Sequence, residues 1–149
     1  MKIEEEIKQT KFRNPHHKAT LNLLYTASWL ESRNKEFFKP FGITNQQFNI
    51  LRILRGQHPH KISGTEIKDR MLDRNSDVSR LLDRLVGKKL AIKTQCPNDK
   101  RAADIAITEK GLHLLKQLDD KMDQTDSKAI HLTAGEAVKL SNLLDKCRG

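Results

Sequence analysis

A mainly α-helical fold carrying one small β-hairpin is what this sequence predicts, and three observations predict it. Apolar residues recur at helical spacing through most of the chain, three helix-start signatures are spread along it, and the period changes to alternation only around residues 90–107. With 149 residues, the chain is about one domain's worth and can bury a core without disulfides or metal.

The four prolines, Pro15, Pro40, Pro59 and Pro97, each fall where the hydrophobic periodicity breaks. Between Pro15 and Pro40 a long helix is expected, with Leu23, Ala27 and Leu30 on one stripe and Leu21, Tyr25 and Trp29 on another. Two stripes suit two partners, one inside the subunit and one outside it; a single broad core-facing side is the alternative. Thr44-Asn45-Gln46-Gln47 is a capping box, after which Phe48, Leu51 and Leu54 keep helical spacing as far as Gly56. A second box, Ser63-Gly64-Thr65-Glu66, opens a short helix with Ile67 and Met71 turned inward.

Leu72-Asp73-Arg74-Asn75 then reads as a polar turn, and residues 76–88 as another helix. Val78, Leu81, Leu82 and Leu85 share its inner side, and Ser76, Ser79, Arg80, Asp83 and Arg84 its outer side. A short helix, a tight turn and a second helix with a basic, hydroxyl-rich face form the helix-turn-helix pattern. From Leu90 the period becomes two: Leu90, Ile92 and Thr94 are expected on one face, Lys93 and Gln95 on the other. Past a turn at residues 97–101, Ala103, Ile105 and Ile107 alternate with Asp104. A hairpin directly after the second helix is how a wing is attached. Thr108-Glu109 starts a long helix carrying Leu115, Leu118 and Met122. A third box, Thr133-Ala134-Gly135-Glu136, opens the last helix, with Ala137, Leu140 and Leu144 on one face.

Charge points to the partner. Lys and Arg number 28 against 19 Asp and Glu, a net of +9, which favours polyanions. Residues 61–101 hold 11 basic and 6 acidic side chains, while residues 111–149 hold 6 of each. A basic binding module beside a neutral packing module fits that asymmetry. Cys96 and Cys147 form no C-x-x-C, and the histidine pairs His16-His17 and His58-Pro59-His60 lack partners at ligand spacing, so no metal or cofactor is expected. No phosphate loop, nucleophile elbow or paired-carboxylate arrangement supports an enzyme. The start, Met1-Lys2-Ile3-Glu4-Glu5-Glu6, lacks the apolar stretch of a signal peptide, and no apolar run is long enough to span a membrane; a cytoplasmic protein is expected.

Three segments taken in order, Val78-Ser79-Arg80-Leu81-Leu82-Asp83-Arg84-Leu85, Pro97-Asn98-Asp99-Lys100-Arg101-Ala102 and Ile107-Thr108-Glu109-Lys110-Gly111, resemble the MarR (multiple antibiotic resistance regulator) family, with flanking helices where that family keeps its own. The resemblance implies one winged helix-turn-helix chain over residues 1–149, with residues 16–40 and 109–149 as dimerisation helices and residues 44–108 as the DNA-binding region. It implies a transcriptional regulator, in the first instance a repressor, acting as a homodimer on double-stranded DNA. Residues 76–88 become the recognition helix, with Ser76, Ser79, Arg80 and Arg84 directed at the major groove. Asp99 braces the wing and Arg101 reaches the minor groove.

Lys61, Lys88, Lys93 and Lys100 are the candidate phosphate contacts, and a symmetric dimer calls for a pseudo-palindrome with half-sites about 10–10.5 base pairs apart. The resemblance further implies release by a small aromatic effector, for which Tyr25, Trp29 and Phe48 would line a pocket where the helices meet the DNA-binding region. One departure stands out: Lys89 occupies the place of a glycine after the recognition helix, with Gly87 two residues earlier, so a shifted or strained helix stop is expected. Two other functions fit the same pattern, a winged-helix protein-interaction module and a sequence-blind nucleic-acid binder.

Overall fold

The computed structural model describes residues 1–96 and 99–149, and within these the side chains of residues 96, 99–102, 127 and 128 lie outside the description. Its order is α1 (Ile3–Glu6), α2 (Pro15–Phe38), a single 3₁₀ turn (Lys39–Phe41), α3 (Asn45–Gln57), β1 (Ile62–Ser63), α4 (Gly64–Arg70), α5 (Val78–Gly87), β2 (Ala91–Cys96), β3 (Asp99–Ile107), α6 (Glu109–Ala129) and α7 (Ala134–Arg148).

Helices α3, α4 and α5 each start on a side-chain cap. The Thr44 hydroxyl accepts the Gln47 N–H at 3.2 Å while Gln47 Oε1 accepts the Thr44 N–H at 3.2 Å. Ser63 and Glu66 repeat the exchange at α4, and Thr133 and Glu136 at α7. All three expected boxes are present. Asn14 caps α2 with Pro15 at its first position, and Gly42, at φ +68°, turns the chain out of the 3₁₀ turn toward α3.

The second helix of the pair is shorter than the expected 76–88. Asp77 caps it by accepting the Arg80 N–H at 3.2 Å, which leaves Ser76 in the preceding turn. Its end carries the anticipated strain. Leu90 N–H bonds the Leu85 carbonyl at 3.0 Å and Lys89 N–H that of Val86 at 2.9 Å, the paired bonds of a Schellman stop. The left-handed residue of that stop is Lys89 itself, at φ +60°, a conformation costing a side-chain-bearing residue about 1–2 kcal/mol.

This stop also takes Leu90 out of the alternation expected of the first wing strand, while Ile92 and Thr94 keep a face of their own opposite Lys93. Leu90 and Ala91 both drop into the core, at 5% and 1% exposure, and Ile92 is 51% exposed. Ala91 pairs with Ile107 and Lys93 with Ile105, so Ile92 and Thr94 share the outer face with their partners Ala106 and Asp104. Alternation counted from Leu90 fails because Leu90 belongs to the stop, not to the strand. The sheet gains a third strand the sequence did not announce, since two-residue β1 carries no period: Ile62 pairs with Ile105 in the antiparallel order β1-β3-β2.

One core joins these pieces: Ile50, Leu51 and Leu54 of α3, Ile67 of α4, Leu82 and Leu85 of α5, Ile105 of β3, and Leu115 and Leu118 of α6. Helix α2 reaches it only at its C-terminal end, with Phe38 buried and Phe37 packed half-buried against it, and α7 buries no residue. Along α2 and α7, Leu23, Leu24, Val138, Leu140 and Leu143 stay exposed.

Candidate nucleic-acid interface

The inner face of α5 decides what its outer face presents. Val78, Leu82 and Leu85 are buried, so Ser79, Arg80, Asp83 and Arg84 stand exposed. Neighbouring carboxylates are already engaged: Asp77 caps the helix, and Asp83 lies 3.8 Å from Lys93 Nζ. Among the described residues, neither the Arg80 nor the Arg84 guanidinium makes a hydrogen bond or ion pair. Two forked cations thus stand one helical turn apart with their donors unspent.

A polar hollow of about 320 Å³ lies between the starts of α3 and α5, lined by Gln46, Asn75, Ser76, Asp77, Arg80 and Arg84. Gln46 was not singled out from the sequence, where it is an interior position of a capping box. Only the packing of α3 on α5 brings it beside the two arginines. Ser76 corrects an expectation: its hydroxyl is buried, without a hydrogen-bond partner, rather than turned outward on the helix.

Lys61 is exposed beside the wing, with Nζ donating to Thr94 Oγ1 at 3.2 Å. Lys88, expected to contact phosphate, is an exposed residue whose ammonium donates to the Gly42 carbonyl and, at 3.1 Å, to Oε1 of buried Gln47. Two oxygens with negative dipole ends, one of them shielded from water, hold a cation that open solvent would leave mobile. Asp99, Lys100 and Arg101, and with them Cys96, lie outside the described side chains.

The three aromatic residues expected to line a pocket do not meet in one. Phe48 packs in the core against Phe38, ring centroids 4.6 Å apart. Tyr25 donates its hydroxyl to Glu6 at 2.5 Å, which raises its pKa, and Trp29 lies under the Arg33 guanidinium at 4.8 Å. Helical spacing put them in one list, but Phe48 sits on the inner face of α3 and the other two on an open face of α2. A cavity of about 410 Å³ does occur where α6 meets the Gly42 turn and the end of α5, with Phe41, Leu90 and Leu114 beside Lys88, Lys110 and His113.

The Glu66 carboxyl is held below its ordinary range, first by the Ser63 backbone N–H and then by the Ser63 hydroxyl, which pins the start of α4. Among the described residues no cluster of three or more His, Cys, Asp or Glu is placed to hold a metal, and no helix is long and apolar enough to cross a membrane.

The chain matches the MarR family over residues 43–103. It is 31% identical over 113 residues to the multiple antibiotic resistance protein MarR of Escherichia coli K12, covering 74% of this chain and 77% of that protein. In structure it is similar to a MarR transcription factor from Planctomyces limnophilus, at 33% identity and a TM-score of 0.71, over 91% of this chain and 98% of that one. It is also similar to a mutant MarR from E. coli complexed with operator DNA, at 29% identity and a TM-score of 0.71, over 85% and 91% of the two chains. Of other curated regulators that it matches, the chain spans about half the length, 54% and 50% in two cases.

Proposed function

Because the chain belongs to the MarR family, whose members are transcription factors rather than enzymes, we propose that it regulates transcription by reading double-stranded DNA as a homodimer. The observation that carries the reading is the pair of unpaired guanidiniums, Arg80 and Arg84, on the outer face of α5. Arginine forks match a guanine edge through two parallel donors, and the Ser79 hydroxyl adapts to a base or a phosphate. Lys61 and Lys100 hold the backbone, Asp99 braces the wing, and Arg101 enters the minor groove.

Self-association is supported by the two terminal helices. Leu24 is 64% exposed on α2, and Val138 and Leu143 are 61% and 56% exposed on α7, apolar surface that water disfavours. A second copy covers it, and the two-fold axis sets a pseudo-palindromic operator. Repression is the simplest output of such occupancy. A small aromatic effector that binds one spacing of the recognition helices better than the other releases the operator, and we assign it to the cavity beside Phe41 and Leu114.

Selection of sites from random duplex DNA tests the reading, with the wild type beside Arg80→Ala and Arg101→Ala. A pseudo-palindrome, relaxed or lost in the Arg80 variant, is the expected result. Enrichment of no sequence, with binding gone at moderate salt, makes the protein a sequence-blind binder; no binding at low salt makes it a protein-interaction module.

A further inference from the structure

Lys88 closes α5. Its backbone N–H bonds the Arg84 carbonyl at 3.0 Å, in register with the helix, while its side chain leaves in another direction. The ammonium reaches the Gly42 carbonyl and Gln47 Oε1, and that same Oε1 also accepts the Thr44 N–H at 3.2 Å. From the opposite side, Lys110 Nζ on the first turn of α6 donates to the Lys88 carbonyl at 3.1 Å. One residue therefore ties the end of α5 to the turn before α3 and to the start of α6.

The place of that tie matters more than its number of bonds. Gly42 is the left-handed joint through which the chain passes from α2 to α3. Helix α2 carries part of the open apolar face, and α5 carries the free arginines. A rigid link across this joint transmits the position of the pairing helices to the reading helix. A helix of 10 residues is about 15 Å long, so a pivot of about 4° at its C-terminal end moves its N-terminal end by about 1 Å.

We propose that Lys88 is a positioning residue, whose ammonium, bonded to the Gly42 carbonyl and Gln47 Oε1, locks α5 to the Gly42 joint and thereby sets the distance between the two recognition helices of a dimer. The proposal rests on the DNA-reading dimer described above. It takes Lys88 out of direct contact with DNA and makes it responsible for how strictly half-site spacing is read. The bonds are charge-assisted and partly shielded, so a neutral side chain of similar length removes the lock without emptying the core.

The test uses the full-length protein, the duplex selected by the wild type, and versions with one base pair added to or removed from the centre. Lys88→Met and Lys88→Arg are compared with the wild type, with urea midpoints reporting the fold of each. In Lys88→Met the penalty for the altered spacers is expected to fall about tenfold, the lower end of the weight of one hydrogen bond to a charged group, while affinity for a duplex carrying a single intact half-site stays unchanged. Lys88→Arg restores the penalty. Two results overturn the proposal: a spacer profile unchanged in folded Lys88→Met, or a uniform loss on every duplex with a salt slope shallower by about one, which marks Lys88 as a phosphate contact. A wild type that selects no site, or ignores spacing, instead overturns the reading beneath it, and the proposal with it.

Discussion

Gly111 is where one methyl group should do the most damage. It is the third residue of α6, and a Cβ there would sit 2.4 Å from the Leu90 carbonyl oxygen and 2.7 Å from Ile107 Cγ1. Neither neighbour yields easily. The Leu90 carbonyl already accepts the Thr108 N–H at 3.1 Å, and Leu90 N–H closes the α5 stop on Leu85. Ile107 is 6% exposed and packed into the core. Forcing extra volume into such a site costs about 1–3 kcal/mol and at times more. Alanine returns at most about 1 kcal/mol through its better helix propensity. With the contact below 2.5 Å and on backbone, the upper end applies, and Gly111→Ala should lose about 2 kcal/mol net.

Gly56→Ala is the matched control, since no atom lies within 4 Å of its Cβ position inside α3. It should be neutral or stabilised by up to about 1 kcal/mol. Urea unfolding at one fixed protein concentration reads both, because a dimer's stability depends on concentration. At an m-value of about 2 kcal/mol per molar, the Gly111 variant's midpoint should fall by about 1 M. A Gly111→Ala protein as stable as the wild type would refute the claim that α6 is seated on the Leu90 carbonyl.

Three further outcomes follow from the same geometry. Lys89→Gly relieves a left-handed lysine but frees the unfolded chain, so a net gain of about 0.5 kcal/mol is expected and Lys89→Val should lose more than about 1 kcal/mol; urea midpoints in the reverse order refute the strain. Glu66, its pKa depressed by Ser63, adds stability present above its unfolded value, about 4.3, and lost as pH falls through the lower folded value; Glu66→Gln, still able to accept, should flatten the stability profile between roughly pH 5 and 3, and an unchanged slope speaks against the cap. Leu143→Asp, placing a charge on the open face of α7, should weaken self-association by about 3 kcal/mol, roughly a hundredfold, in light scattering, while helicity by circular dichroism holds; a variant that stays dimeric removes α7 from the interface.

What the sequence shows and hides divides along a physical line. Features written within a few residues survive folding almost unchanged. A capping box needs only a hydroxyl and an acceptor three residues on, so Thr44, Ser63 and Thr133 could be read directly, as could the inner stripe of Val78, Leu82 and Leu85. The outward set of Ser79, Arg80 and Arg84 followed as its complement. Errors arose where one backbone dihedral changes the phase of everything after it. Asp77 as cap moves Ser76 off the helix, and the stop at Lys89, at positive φ, takes Leu90 out of phase with Ile92 and Thr94. Long flexible side chains are hidden for a different reason. Sequence assigned Lys88 to phosphate by its charge, but its ammonium answers to oxygens 46 and 41 residues away, at Gly42 and Gln47. Gln46 joins the arginines across a comparable separation, through the packing of α3 on α5. The exposed residues proposed to read DNA are thus legible from local pattern, whereas the residues proposed to aim them come together only once the chain has folded back on itself.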